Sequence, residues 1–318
     1  MRLWQRTMIA LARHQSLKAF MQSRGAMSEF AKRFVGGRDV AEAAATSAGL
    51  YSKGYRTSLY YLGESVEDLS AINRTVSELK AIVAKLADLN LETHVSVDPA
   101  QIGWQVSEDV CRTNARSVAE EIRLRTTGMA ASSKNLLMLN MEDSSVTTAT
   151  VGLYETLRRD NLPVAVTLQA YLFRSEADLG TILQNGDVVR LVKGAFAENS
   201  SIAFSTRSEV AANYRKLASM MLSGEARRAG SYPVFATHDA TLMNDIVETA
   251  SRRGWRREEY EFEMLFGVRR ELQERLIQDG MQLRLYLPFG KDWWPYAVRR
   301  VGESPRNVNF LMSSLVGK

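Results

Sequence analysis

The segment Arg190-Leu191-Val192-Lys193-Gly194-Ala195 puts two cations inside, or at the lip of, an otherwise apolar run. A buried cation without a partner is costly, so Arg190 and Lys193 require anionic partners or an electron-rich ligand. A bound cofactor carrying phosphates and a reducible ring would supply both; structural ion pairs are the other reading. Tyr296, Arg299, Arg300 and Glu303 form a second concentration of polar groups near the C-terminus. On a helix, Glu303 falls three or four residues beyond the arginines, where it can orient a guanidinium. Adjacent arginines held this way make a fork for a small-molecule carboxylate. The same spacing on a solvated helix gives only a surface ion pair of little energetic consequence.

Other residue types narrow the chemistry. Three dispersed histidines, His14, His94 and His238, do not make a metal site, and no carboxylate stands at ligand spacing to them. No metal is expected. Glu261 and Glu263 share one strand face but have no partner that would make them a glycosidase pair. Cys111 is the single cysteine, so an intrachain disulfide is excluded, and its helical setting suits a small buried hydrophobe better than a nucleophile.

The elements that must position these groups follow from hydrophobic periodicity. Apolar runs of strand length, at 57–62, 92–97, 135–141, 164–171, 188–195, 232–237, 260–266 and 282–287, alternate with stretches of helical period such as 107–124, 145–158 and 206–222. Val164-Ala165-Val166-Thr167-Leu168 and Val188-Val189-Arg190-Leu191-Val192 are near-continuously apolar, as parallel strands covered on both faces should be. Eight strands with intervening helices predict an α/β chain forming a TIM-like (β/α)8 barrel. An open doubly wound sheet is disfavoured because no strand leads into G-x-G-x-x-G, and P-loop, H-E-x-x-H and G-x-S-x-G motifs are absent. In a barrel the C-terminal strand ends carry function. This points to Asp98, Asn140, Glu142, Asp143, Gln169, Tyr171, Arg190, Lys193, His238, Asp239, Glu261, Glu263, Arg284 and Tyr286.

At 318 residues, 45% of them hydrophobic, the chain fits one barrel at 51–318 preceded by an N-terminal helical arm at 1–50. That arm carries much of the net charge of +5, through residues such as Arg2, Arg6, Arg13, Lys18 and Arg24 interleaved with apolar ones. It packs on the body or makes a peripheral contact with a membrane surface. No run reaches the ~18 apolar residues of a membrane span, and no secretory signal is present. Nothing resembles a base-reading motif, so nucleic acid is not an expected partner. A cytoplasmic protein, or one peripheral at the inner membrane face, is the expected setting.

Arg190-Leu191-Val192-Lys193-Gly194-Ala195-Phe196 resembles the R-L-V-K-G-A-Y strand of proline dehydrogenases, and Tyr296-Ala297-Val298-Arg299-Arg300-Val301-Gly302-Glu303 their Y-x-x-R-R-x-x-E helix. Gln169-Ala170-Tyr171, Ala236-Thr237-His238, Glu261-Phe262-Glu263-Met264-Leu265-Phe266-Gly267, Tyr286-Leu287-Pro288-Phe289-Gly290 and Tyr61-Leu62-Gly63-Glu64 are similar to further motifs of that family in the same order. The resemblance implies a distorted barrel holding FAD noncovalently. It also implies oxidation of L-proline to 1-pyrroline-5-carboxylate, with the electrons passed to a quinone. Carried over residue by residue, it implies that Arg190 lies near the flavin and tunes it, with Tyr286 as the second residue at the reacting centre. Gln169, Lys193, Gly194, Ala195, Thr237 and His238 would contact FAD. Arg299 and Arg300 would clamp the substrate carboxylate, with Glu303 holding the arginines, and Leu191, Phe196, Tyr286 and Tyr296 would wall the substrate.

The departures fall at the site. The family's second strand reads S-V-K-L where this chain has Ser96-Val97-Asp98-Pro99, and its third ends D-M-E where this chain has Asn140-Met141-Glu142. Asp98 and Asn140 thus replace a lysine and an acid, two changes that look coupled. Phe196 and Ala197 replace a tyrosine and a tryptophan, removing a hydroxyl and a stacking surface. A carboxylate near a substrate carboxylate is repulsive. Three outcomes stay open: proline oxidation with Asp98 turned aside by the extended geometry before Pro99, oxidation of a modified cyclic or cationic amine, or a noncatalytic flavin-binding module. If the arginine pair is a desolvated carboxylate clamp, Arg299→Ala weakens binding of a carboxylate substrate by about 2–5 kcal/mol. Steady-state saturation curves check this, and an unchanged KM would remove the clamp.

Overall fold

The computed structural model describes residues 33–63, 68–129 and 134–297. Residues 1–32 of the arm, together with Arg299, Arg300 and Glu303, lie outside the described residues. Eight strands form a closed parallel barrel in sequence order: β1 Arg56–Tyr61, β2 His94–Val97, β3 Leu136–Leu139, β4 Val164–Gln169, β5 Val188–Val192, β6 Tyr232–Ala236, β7 Glu261–Leu265 and β8 Leu283–Phe289. β8 closes onto β1 over six residue pairs, from Arg56 opposite Arg284 to Tyr61 opposite Phe289.

The outer helices are α1 Val40–Tyr51, α2 Leu69–Asp88, α3 Glu108–Arg125, α4 Ser144–Arg159, α5 Ser175–Gln184, α6 Arg207–Met221, α7 Gly224–Ala229, α8 Ala240–Arg252 and α9 Arg270–Gln278. The expected helices at 107–124, 145–158 and 206–222 correspond to α3, α4 and α6. Local signals set their starts: Ser107 Oγ accepts from Val110 N, Asp143 from Ser145 N, and Thr206 and Glu209 form a reciprocal capping box. α1, at the end of the expected arm, buries Ala43 and Ala44 and joins β1 through Ser47 Oγ and Thr57 Oγ1 at 2.5 Å. It therefore packs as part of the outer ring. No helix among the described residues is long and apolar enough to cross a membrane.

Alternation along each strand separates two interiors. Outward residues such as Leu59, Val95, Leu137, Val166, Val189 and Leu191 join the large apolar layer beneath the helices. Inward residues fill the barrel and are unusually polar. At its N-terminal end, Arg284 is fully buried and its guanidinium binds Glu261 at 2.6 and 3.1 Å, Glu92 at 2.9 Å and the Thr57 carbonyl at 2.9 Å. Tyr232 Oη donates to Glu261 at 3.2 Å, and Lys134 Nζ lies 4.2 Å from the Tyr232 ring centre. Burial opposes the Arg284 charge, but Glu261 and Glu92 outweigh it, so the guanidinium holds its proton more tightly than usual. Glu261 and Arg284, expected among the functional strand ends, thus belong to a plug at the opposite pole. They begin their strands, so chain direction puts them at the stability end.

His94 lies above this plug, fully buried, with no hydrogen-bond partner for either nitrogen among the described residues. Burial, reinforced by Arg284, Arg190 and Arg56, holds its pKa well below the ordinary range, so it is a neutral spacer between two cationic layers. Cys111 is also buried, its thiol pushed up to about 12 by burial, and it is inert as a nucleophile.

Removing Arg284 leaves Glu261 and Glu92 buried without their main counterion. Arg284→Met is therefore expected to destabilise the fold by about 3–5 kcal/mol. The exposed Arg228→Met should change stability by less than about 0.5 kcal/mol. Urea unfolding of the two variants checks the difference.

Candidate active site

At the C-terminal mouth, the side chain of Arg190 is 4% exposed and reaches four elements. Its Nε donates to Thr167 Oγ1 at 3.0 Å and its Nη1 to Ser96 Oγ at 3.3 Å. Nη1 also meets Glu263 Oε1 at 2.7 Å, and Nη2 donates to Asn140 Oδ1. The sequence required a partner for this cation, and Glu263 provides the charge. Glu263 Oε2 has no partner among the described residues. Burial outweighs the Arg190 contact at Glu263 and raises its carboxyl above the usual range.

Asn140 extends the web outward. Its Nδ2 donates to Asp98 Oδ1 at 2.5 Å and to Tyr286 Oη at 3.1 Å. Asp98 Oδ2 accepts from Tyr60 Oη at 2.7 Å, and the Tyr60 and Tyr286 rings pack with centres 5.3 Å apart. The expected coupling of positions 98 and 140 is thus a direct hydrogen bond. Tyr286 accepts from Asn140 and gives its own proton to no described residue. Burial, then Asp98, raises its pKa well above the phenol range, so the hydroxyl stays a potential donor.

A cavity of about 340 Å³ opens beside these groups, lined by Gln169, Arg190, Lys193, Glu263, Leu265 and Tyr286 among others. Met141, Gly194, Ala195, Phe196 and His238 also line it. Gln169 Nε2 donates to the Met141 carbonyl at 3.0 Å and the Glu142 carbonyl at 2.6 Å, which leaves Oε1 buried with no partner among the described residues. β5 ends at Val192, three residues short of the expected limit, and just beyond it Gly194 has φ +101°, where a Cβ would lie 2.2 Å from the Tyr171 ring. An adjoining space is bordered by Lys193, Thr237, His238, Asp239 and Arg269. Lys193 Nζ meets Asp239 Oδ2 at 2.8 Å, and Asp239 caps α8. His238 Nε2 accepts from Leu265 N at 3.0 Å, which places the ring proton of the neutral imidazole on Nδ1.

The structure therefore gathers Gln169, Arg190, Lys193, Gly194, Ala195, Phe196, His238 and Tyr286 around connected space, with Thr237 at its edge. Asp98 and Asn140 stand behind Arg190 and Tyr286, outside the cavity lining. Leu191 is corrected: strand alternation turns it from Arg190's face into the layer beneath the helices, where it is fully buried and cannot wall a ligand. Tyr296 lies at the edge of the described chain. Tyr60, Ser96 and Thr167 were missed by sequence reasoning. Their only signal is inward parity on their strands, which ordinary packing also produces.

Glu142 flanks the web, accepting from Ala100 N at 3.0 Å. Burial, with Asp98 and Asp143 nearby, pushes its carboxyl up to about 7 from an ordinary 4.5. The folded state then binds this proton more tightly than the unfolded state, so the group's contribution to stability falls as pH rises from about 4.5 to about 7. Glu142→Gln is expected to remove that decline. Melting curves for both proteins across this window test it, and parallel profiles would show that Glu142 is already ionised.

A family model described as proline dehydrogenase matches residues 43–313. Proline dehydrogenase 2 of Bacillus subtilis (strain 168) is 30% identical over 288 residues, covering 91% of each chain. Proline dehydrogenase of Deinococcus radiodurans is 28% identical over 319 residues, covering 99% of this chain and 98% of its own. Among solved structures, proline utilization A of Bdellovibrio bacteriovorus, inactivated by N-propargylglycine, aligns with a TM-score of 0.76 at 20% identity over 89% of this chain. Proline utilization A of Corynebacterium freiburgense gives 0.75 at 19% identity over 98%. This chain spans about a third of those two proteins, 34% of each, and the likeness at that identity concerns the fold. With the family model covering most of the sequence and a relative 30% identical over 91% of the chain, the chain belongs to the proline dehydrogenase family.

Proposed function

We propose that the protein oxidises the C–N bond of L-proline to give 1-pyrroline-5-carboxylate, using noncovalently bound FAD. The observation that carries this is Arg190: a buried guanidinium, fixed by groups from four elements, that borders the cavity alongside Gln169, whose buried Oε1 has no partner among the described residues. An acceptor held in place with no donor among the described residues suits an N–H of a planar heterocycle. Lys193 and Arg269 border the adjoining space and suit phosphate oxygens. The residues present therefore fit FAD. When bound, FAD would supply the acceptor for the two electrons removed from the substrate.

The chain's own residues bind, orient and exclude water. Arg190 keeps a fixed positive charge beside the cavity, where low polarity strengthens its effect on developing negative charge. Gln169, Gly194, Ala195, Thr237 and His238 shape the cofactor surface, and Phe196 and Tyr286 border the substrate side. Arg299 and Arg300, positioned by Glu303, clamp the substrate carboxylate in this reading, with Tyr296 beside them. It rests on their motif alone. A quinone acceptor and peripheral contact with the inner face of a membrane follow from the resemblance and the basic arm.

A substrate with a second cation is not favoured. Both Asp98 oxygens are already engaged, by Asn140 and Tyr60, so the carboxylate does not need a ligand ammonium. The same contacts draw Asp98 away from a substrate carboxylate.

Anaerobic titration of the purified protein with L-proline tests the proposal through its visible spectrum. The expected result is a flavin band that proline bleaches. A colourless protein that takes up no FAD would overturn the cofactor assignment, and a flavin that proline leaves oxidised would overturn the substrate.

A further inference from the structure

The two ends of a side-chain amide interchange by rotation, so neighbours decide which end faces where. Asn140 stands between a neighbour that only accepts, the Asp98 carboxylate, and one that only donates, the Arg190 guanidinium. One amide orientation satisfies both. The reverse orientation points Nδ2 at the guanidinium and Oδ1 at the carboxylate, two repulsive contacts.

Asp98 is itself fixed. Its Oδ2 accepts a hydrogen bond from Tyr60 Oη, and its backbone N donates to Gln101 Oε1 at 3.1 Å. Gln101 in turn donates to the Tyr61 carbonyl at 2.9 Å. The following Pro99 holds Asp98 extended, at φ −84° and ψ 134°, at the start of a short 3-10 turn. The carboxylate is therefore tied to β1 and to the start of that turn while remaining outside the cavity lining.

We propose that Asp98 is a positioning residue for Arg190: its carboxylate locks the Asn140 amide with Oδ1 toward the guanidinium, and this holds Arg190 at the cavity. The inference rests on the reading of Arg190 as a flavin neighbour. It makes the departures at 98 and 140 a single unit, one carboxylate and one amide.

Asp98→Asn, Asn140→Asp and the double variant Asp98→Asn/Asn140→Asp are nearly isosteric, and each can be measured as flavin-loaded protein for Tm, flavin midpoint potential, and kcat and KM for L-proline. With an amide at 98, the contact at 98 tolerates either end of Asn140, so only the guanidinium still selects Oδ1 and Arg190 holds its acceptor less firmly. Asp98→Asn is therefore expected to lower kcat about tenfold, the scale of one hydrogen bond to a charged group, with little change in KM and a shifted potential. In the double variant a carboxylate at 140 faces Arg190 directly and accepts from the amide at 98, so kcat returns to within about threefold of wild type and the potential returns toward the wild-type value. Asn140→Asp alone sets two carboxylates together and adds an ionisation to the kcat–pH profile that wild type and the double variant lack. Wild-type behaviour of Asp98→Asn in both kcat and potential overturns the inference. Equal impairment of Asp98→Asn and the double variant also overturns it, and assigns Asp98 a direct ligand contact instead. If wild type holds flavin that proline cannot reduce, the substrate reading fails, while the potentials of the three variants still decide the role of Asp98. A wild type that binds no flavin overturns both.

Discussion

A guanidinium that is buried must be surrounded, and the mouth of this barrel is arranged around that requirement. Arg190 takes one acceptor each from β2, β4, β7 and the turn after β3. Only one of these, Glu263, carries compensating charge. The neutral acceptors take three more of its five N–H groups without cancelling the positive potential toward the cavity. Hydrogen bonds from several directions leave the guanidinium little rotational freedom. Such preorganisation is what a charge needs if it is to act on a neighbouring ligand without a reorganisation cost.

The barrel places a second buried arginine at its other pole, with a different environment. Arg284 is enclosed by Glu261, Glu92 and the Thr57 carbonyl and is not among the residues that line the cavity at the mouth. Glu261 and Glu92 face both Arg284 and Arg56, which makes this pole a self-contained plug. At the mouth, one carboxylate against one guanidinium leaves room for a further polar partner. His94 sits between the two and stays neutral because burial and the flanking arginines penalise its charged form. Stability and binding thus occupy opposite ends of one interior, separated by an uncharged layer.

The departures from the family pattern are intelligible as hydrogen-bond chemistry. Losing a lysine at 98 and an acid at 140 removes an ion pair, and an acid–amide pair takes its place. Tyr60 supplies the second donor that a carboxylate at 98 requires. The amide donates to Tyr286, so the phenol keeps its own proton available on the cavity side. Phe196 remains at the cavity edge as an exposed apolar surface, without the hydroxyl found at that position in the family pattern.

The sequence by itself determined the eight strands, their parallel arrangement and the convergence of Gln169, Arg190, Lys193, His238 and Tyr286. Each of these depends on local periodicity or on motifs whose spacing survives folding. It also flagged Asp98 and Asn140 as coupled. Tertiary structure alone decided where the inward-facing groups sit along the barrel axis. Glu261 and Glu263 look alike as neighbours on one strand face, yet two residues of rise send one to the plug and the other to Arg190. Leu191 reads as part of the same motif as Arg190, but the pleat turns it to the opposite face. Tyr60 meets Asp98 across the β1–β2 pair and Thr167 meets Arg190 from the adjacent strand, but Ser96 on β2 reaches Arg190 on β5 only across the interior of the closed barrel. No linear pattern encodes that convergence, because it depends on strand register and on the shared axis that closure creates.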